Sequence, residues 1–82
     1  MKDGMMEMVA QLAKPPTCQK CGRAARYEVP EVSGMSYEGR VRAVCECGNA
    51  GKWYEYDFYA ITFPDAQTIL EDAERDFAKE GA

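Results

Sequence analysis

The stretch TCQKCG at residues 17–22, together with VCECG at residues 44–48, decides how this chain folds. Each stretch carries one pair of cysteines, and the 23 residues between Cys21 and Cys45 are enough for a β-hairpin to bring the pairs together. The sequence has four cysteines and no histidine, so no other thiol or imidazole ligand is available. A site closed by four thiolates leaves no position for a catalytic water and is typical of structural zinc. The sequence therefore predicts one metal site, formed by Cys18, Cys21, Cys45 and Cys47.

Three other interpretations of the cysteines stay open at this point: disulfides, a redox dithiol and an iron–thiolate centre. Disulfides suit small secreted domains, but the first residues lack the apolar stretch of a signal peptide. A redox Cys-x-x-Cys needs a parallel βαβ context, whereas the residues after Cys21 predict antiparallel strands. Iron in a rubredoxin-like cage is the nearest alternative, although rubredoxins use two Cys-x-x-Cys-Gly knuckles and the second pair here is Cys45-x-Cys47. We favour Zn²⁺, with Fe as the alternative.

Residues 17–62 resemble the zinc-ribbon group, in which a rubredoxin-like Cys-x-x-Cys-Gly knuckle, a hairpin and a second cysteine pair enclose one zinc ion. The glycine after a knuckle in that group lets backbone amides turn toward the thiolates, which implies this role for Gly22 and Gly48. The second pair has one residue fewer than the group's usual spacing. The spacing and the apolar tail are also similar to the zinc domain of certain antitoxins of toxin–antitoxin systems. Zinc ribbons serve many functions, so the resemblance implies a fold and a metal and leaves the function open.

Length and composition predict a single domain, residues 1–82. A chain of 82 residues has room for one core, and so small a core often needs a metal for stability. With 46% hydrophobic residues the chain is too apolar to be disordered. No apolar stretch approaches the roughly 18 residues of a membrane helix. Reduced thiols without an export signal lead us to expect a cytoplasmic protein that makes no membrane contact.

The predicted fold class is α+β: a short N-terminal helix at 1–13, the ribbon at 17–62 and an amphipathic helix at 64–80. The ribbon is predicted to hold a three-stranded antiparallel sheet, because its apolar residues alternate with charged ones. Its apolar face carries Tyr27, Tyr54, Tyr56 and Phe58.

The two helices are predicted to cover that face. Thr62 and Asp65 have the spacing of a capping box before the C-terminal helix. We also expect an i,i+4 ion pair between Glu71 and Arg75. The apolar stripe of this helix comprises Ala66, Ile69, Leu70, Ala73 and Phe77. The N-terminal helix carries a stripe formed by Met5, Met8, Val9 and Leu12, suited to packing on the sheet or to contacting a partner, including a second copy in a homodimer.

The charge distribution argues against nucleic-acid binding as the main function. Residues 14–52 carry seven basic and four acidic side chains, but residues 53–82 carry two basic and eight acidic ones. The isoelectric point is near 4.7, whereas small nucleic-acid-binding domains are usually basic. The alternative function is a transcription- or translation-associated ribbon that contacts nucleic acid. Its candidate contact residues are Lys20, Arg23, Arg26, Arg40 and Arg42.

We do not expect an enzyme. The sequence has no histidine for general-base chemistry and no nucleotide-binding glycine motif. We expect instead an acidic adaptor or inhibitor that binds a protein with a basic surface, such as a phage or mobile element would encode against a host nucleic-acid enzyme. The candidate partner-binding residues combine aromatic and acidic side chains: Met35, Tyr37, Trp53, Glu55, Asp57 and Tyr59.

Overall fold

The computed structural model of the protein describes residues 4–31 and 38–80. Two helices and three strands follow one another in the order α1 (Gly4–Leu12), β1 (Arg26–Glu28), β2 (Glu38–Val44), β3 (Tyr54–Asp57) and α2 (Phe63–Glu80). The strands form one sheet in the order β1-β2-β3, and both pairings are antiparallel. This arrangement confirms the predicted α+β fold class.

Alternation along β2 separates a covered face of the sheet from an outer face. Val41 and Ala43 are buried, whereas Arg40 before them is exposed and Arg42 between them is partly exposed. The register places Tyr54 opposite Val41 and Tyr27 opposite Ala43, so both tyrosines share the covered face. This face is the apolar one that the alternation predicted.

The third strand is shorter than the sequence suggested, because Asp57 ends it. Asp57 accepts the backbone N–H of Tyr59 at its Oδ1, 3.0 Å away, and its carbonyl accepts the N–H of Ile61 at 3.0 Å. Such local bonds compete with strand pairing. Phe58 therefore lies in a turn instead of on the sheet, with its ring edge-on to Tyr59 at 5.0 Å between centroids.

Helix α2 covers the sheet as its apolar stripe predicted. The capping box forms: Thr62 N donates to Asp65 Oδ2 at 3.4 Å, and Asp65 N donates to Thr62 Oγ1 at 3.3 Å. Arg75, however, pairs with Asp72 and not with Glu71. The stripe residues buried beneath the helix are Ala66, Leu70, Ala73 and Phe77.

Helix α1 packs against α2, through a face that overlaps the predicted stripe only in part: Met5 and Val9 of that stripe contact the core. Met6 and Val9 are its buried residues, whereas Met8 and Leu12 are exposed. Partly buried Ala10 and Ala13 pack beside Met6 and Val9, so the contacting face is centred one residue away from the predicted stripe. Lys14 and the prolines after it lie outside the helix, as predicted.

The core consists of two clusters joined by Tyr27, which packs against both. The helical cluster comprises Met6, Val9, Val41, Ala66 and Leu70. The knuckle cluster comprises Cys18, Ala25, Ala43, Cys45 and Phe77. Hydroxyl groups link sheet to helix: Tyr27 donates to the Leu70 carbonyl at 3.4 Å and Tyr54 to the Asp72 carbonyl at 3.2 Å. Within the described residues no helix is long and apolar enough to cross a membrane.

Candidate metal centre

The first pair of cysteines lies on a tight turn, the first knuckle. An isolated bridge pairs Thr17 with Ala24, so the chain enters and leaves the turn side by side. Inside it, Gly22 N donates to the Cys18 carbonyl at 2.8 Å. Gly22 has φ of 76°, a left-handed conformation that glycine adopts without steric cost. The glycine after this knuckle is therefore required by the backbone of the turn.

The second knuckle repeats this design with one residue fewer between its cysteines. Gly48 N donates to the Cys45 carbonyl at 3.0 Å, and Cys45 N donates to the Asn49 carbonyl at 2.8 Å. Gly48 has φ of 97°, again in the left-handed region. A bridge between Val44 and Ala50 closes the turn at the end of β2. Despite the shorter spacing, the second knuckle thus has the same features as the first: a glycine with positive φ whose N–H donates to the carbonyl of the first cysteine.

The two knuckles bring all four sulfur atoms within 4.8 Å of one another. Cys18 Sγ lies 3.6 Å from Cys47 Sγ, and Cys21 Sγ lies 3.4 Å from Cys45 Sγ. A tetrahedron with metal–sulfur bonds of about 2.3 Å has edges of about 3.8 Å, close to these values. All four cysteines are free, with separations far above the roughly 2.05 Å of a disulfide. The thiols are therefore positioned to bind one metal ion, as predicted.

Each knuckle contributes one buried and one exposed sulfur ligand. Cys18 and Cys45 are buried in the knuckle cluster, where Phe77 is the largest side chain. Cys21 and Cys47 are exposed. A metal ion bound by all four cysteines would therefore link the two buried ligands of the knuckle cluster to the two exposed ligands at the surface.

Hydrogen bonds favour the thiolate form of Cys18. Burial is the largest single influence and raises its pKa, but the backbone of Cys21, the side chain of Asn49, the backbone of Lys20 and the Cys47 thiol all act in the opposite direction. Together they lower the pKa of Cys18 from 9.0 to about 6. Sequence reasoning gave Asn49 no role, although an amide directly after a knuckle glycine is the signal that could have identified it. Its Nδ2 lies 3.6 Å from Cys18 Sγ.

Cys45 behaves in the opposite way. Its largest influence, a hydrogen bond from the backbone of Cys47, lowers its pKa. Burial and the hydrogen bonds with the thiols of Cys21, Cys47 and Cys18 outweigh that bond and raise the pKa to about 12. Without a metal, the cluster thus favours a thiolate at Cys18 and a thiol at Cys45. A metal ion must displace the remaining protons, so its binding releases them.

The candidate nucleic-acid contacts divide into two groups. Arg40 and Arg42 lie on the outer face of the sheet, with their guanidinium carbons 4.7 and 4.4 Å from the centre of the Trp53 ring. Arg42 Nε also donates to Glu28 Oε1 at 2.6 Å, a cross-strand ion pair between β2 and β1. The remaining three are exposed around the first knuckle and the start of β1: Lys20, Arg23 and Arg26.

The candidate partner-binding residues also have different surroundings. Glu55 and Asp57 are exposed on β3, and Tyr59 is 58% exposed in the turn after it. Trp53 is only partly exposed, because Arg40 and Arg42 stack on its ring. Met35 and Tyr37 lie outside the described residues.

Comparisons of the chain with protein-family models, with curated proteins and with solved structures found no match. The likeness to zinc ribbons therefore rests on the cysteine pairs, the glycine turns and the sheet that carries them.

Proposed function

We propose that this chain is a non-enzymatic protein-binding module, stabilised by one Zn²⁺, that acts as an acidic adaptor or inhibitor of a partner protein. The proposal rests on the exposure of the Tyr59 side chain next to acidic residues. This aromatic side chain is 58% exposed. It lies two residues after Asp57 and four residues after Glu55, and both of these acidic residues are exposed. Tyrosine is enriched among the residues that dominate binding energy at protein interfaces.

Zinc is the ion that the ligand set favours. Four thiolates suit a soft or borderline ion with tetrahedral geometry, and Zn²⁺ supplies four bonds that cross-link the knuckles without redox chemistry. Zinc analysis of protein purified under reducing conditions should give one equivalent per chain. If that sample instead contains iron and absorbs visible light, the site is a rubredoxin-like iron centre and not a zinc site.

The turn that presents Tyr59 is held by local contacts. The backbone N–H of Tyr59 donates to the Asp57 carboxylate, and the Phe58 ring packs against the Tyr59 ring. A preorganised aromatic residue loses less conformational entropy on binding than one on a free loop. The neighbouring carboxylates would speed association with a basic surface and orient it.

Capture from an extract of the source cell by the zinc-loaded protein tests this surface. Tyr59→Ala should reduce recovery of a captured protein more than about tenfold, and so should the double variant Glu55→Lys, Asp57→Lys. The matched control Gln11→Lys adds positive charge to the exposed face of α1 and should leave recovery unchanged. Equal recovery with all variants would overturn the proposed surface.

A second candidate function, nucleic-acid binding, is favoured by one observation. Lys20, Arg23 and Arg26 are exposed and form no ion pair within the described part of the chain. If these cations bind phosphates, a labelled single-stranded oligonucleotide should bind with strong salt dependence. Changing all three to glutamine should then abolish binding. Salt-dependent binding that is lost in this variant, with no protein captured, would favour the second function over the first.

A further inference from the structure

A groove of about 240 Å³ runs between α1 and α2, and we call it the α1–α2 seam. Val9 and Leu70, both buried, line its base together with Tyr27. Leu12 and Phe63 line its sides and are 74% and 41% exposed. These apolar side chains line the same open groove, so covering them would remove apolar surface from water.

The shape of the seam suits a helix. Its wall on α2 is formed by residues 63, 67, 70, 71 and 74, which recur at helical spacing along one face. At 1.5 Å per residue this wall is about 16 Å long, or three turns. The groove has room for the apolar anchors, at i, i+4 and i+7, of an amphipathic helix that lies along this wall, with Val9 and Leu12 of α1 on the opposite side.

The rim of the seam is acidic. Glu71 and Glu74 line it and are exposed, and neither forms an ion pair with the described residues. Burial, followed by the negative charge of Glu74, raises the pKa of Tyr27 to about 12, so this charge acts at the base of the groove. Lys14 is the one cation among the lining residues.

This charge also selects between possible occupants. Helix α2 contributes six acidic and two basic side chains, and the chain has a net charge of −4. A second copy seated in the seam would bring acidic surfaces together, which is unfavourable. A helix with lysine or arginine beside its apolar anchors would place its cations against the two glutamates.

We infer that the α1–α2 seam is a docking surface for an amphipathic helix of a partner protein, with apolar anchors flanked by basic side chains. The seam lies on the helical side of the sheet and is separate from the Tyr59 surface proposed above.

The probe is a labelled helical peptide of leucine, alanine and lysine, with leucines at i, i+4 and i+7. Two matched peptides replace the lysines by glutamates or the leucines by serines. Fluorescence anisotropy with the zinc-loaded full chain should show binding of the first peptide. Each matched peptide should bind at least about tenfold more weakly, since each lacks one of the two contacts. No binding of the leucine–lysine peptide would overturn the inference.

Protein variants then locate the binding site. Leu12→Ser combined with Phe63→Ser should weaken peptide binding at least about tenfold, and so should Glu71→Lys combined with Glu74→Lys. The double variant Glu55→Lys, Asp57→Lys removes charge from the Tyr59 surface and should bind the peptide as the unaltered chain does. Peptide binding that survives both seam variants overturns the seam. Because this assay uses no captured partner, its failure leaves the Tyr59 experiment independent, and the reverse also holds.

Discussion

The two clusters of the core differ in what holds them together. The helical cluster has three branched side chains and Met6, and further tyrosine and isoleucine side chains pack around it. The knuckle cluster has only Phe77 as a large side chain, beside two alanines and the sulfur atoms of two cysteines. Its apolar contacts are therefore too few to hold two turns and a helix end in place. A metal ion is the natural source of the missing stability at this end.

This difference teaches how a small domain can divide its stability between two kinds of interaction. Burial of side chains stabilises one end, and coordination of a metal by the four cysteines would stabilise the other. Tyr27 packs against both clusters, so each end depends on the other through this ring.

Removing the metal should abolish the folded state. Chelation, or Cys45→Ser in a zinc-containing buffer, should eliminate cooperative melting, because metal binding supplies about 10–16 kcal/mol in comparable peptides. Circular dichroism measures the loss, and restoring zinc to the chelated protein is the control. Cooperative melting that persists in chelator would show that the helical cluster suffices by itself, and the comparison would fail.

Phe77→Ala should be the most costly change in the apolar part of the knuckle cluster. The expected loss in free energy of unfolding is about 3–5 kcal/mol, since the side chain is fully buried. It should also weaken zinc binding in a chelator competition assay. Leu70→Ala is the matched variant in the helical cluster, with an expected cost of about 2–5 kcal/mol. If both variants alter zinc affinity equally, the two clusters are not distinct.

Asn49→Ala should weaken zinc binding about tenfold without altering the fold. Its side-chain amide donates to the Cys18 sulfur, and partners of this kind orient and stabilise a ligand. Asn49→Gln offers the same group at a different distance and serves as the control. A zinc affinity unchanged in Asn49→Ala would show that the backbone amides alone support Cys18.

Stability should fall at alkaline pH through Tyr27, by about 1 kcal/mol after allowing for its partial exposure. Burial and the charge of Glu74 raise its pKa from 10.0 to about 12. The folded state thus holds the phenol proton more tightly than the unfolded state, and this contribution is lost as pH rises from 10 towards 12. Denaturation at several pH values should show a shallower fall for Tyr27→Phe. An identical pH dependence would assign the fall to other groups.

The sequence predicted those features for which the spacing of the residues and their chemical type indicate the same structure. Val41 and Ala43 alternate with arginines, and this pattern alone assigned the covered face of the sheet. The cysteine pairs and the glycines after them assigned the metal centre and the form of its turns. In both cases the local pattern and the final structure depend on the same residues.

The remaining features depend on contacts that no local pattern contains. In α1 apolar residues lie on more than one face, and packing against α2 buried Met6 and left Met8 exposed. Trp53 gained its cover from arginines on the neighbouring strand, which required the register of β2 with β3. The donor at Cys18 was missed because Asn49 belongs to the other knuckle.

The lengths of the strands have a consequence for self-association. The outer strands β1 and β3 have three and four residues, beside the seven of β2 between them. An incoming strand from another molecule would find few backbone groups to pair with at either edge. Charged side chains stand on both: Arg26 and Glu28 on one, Glu55 and Asp57 on the other. Short, charged edges oppose the growth of a sheet from chain to chain, so these same residues protect the folded protein from aggregation.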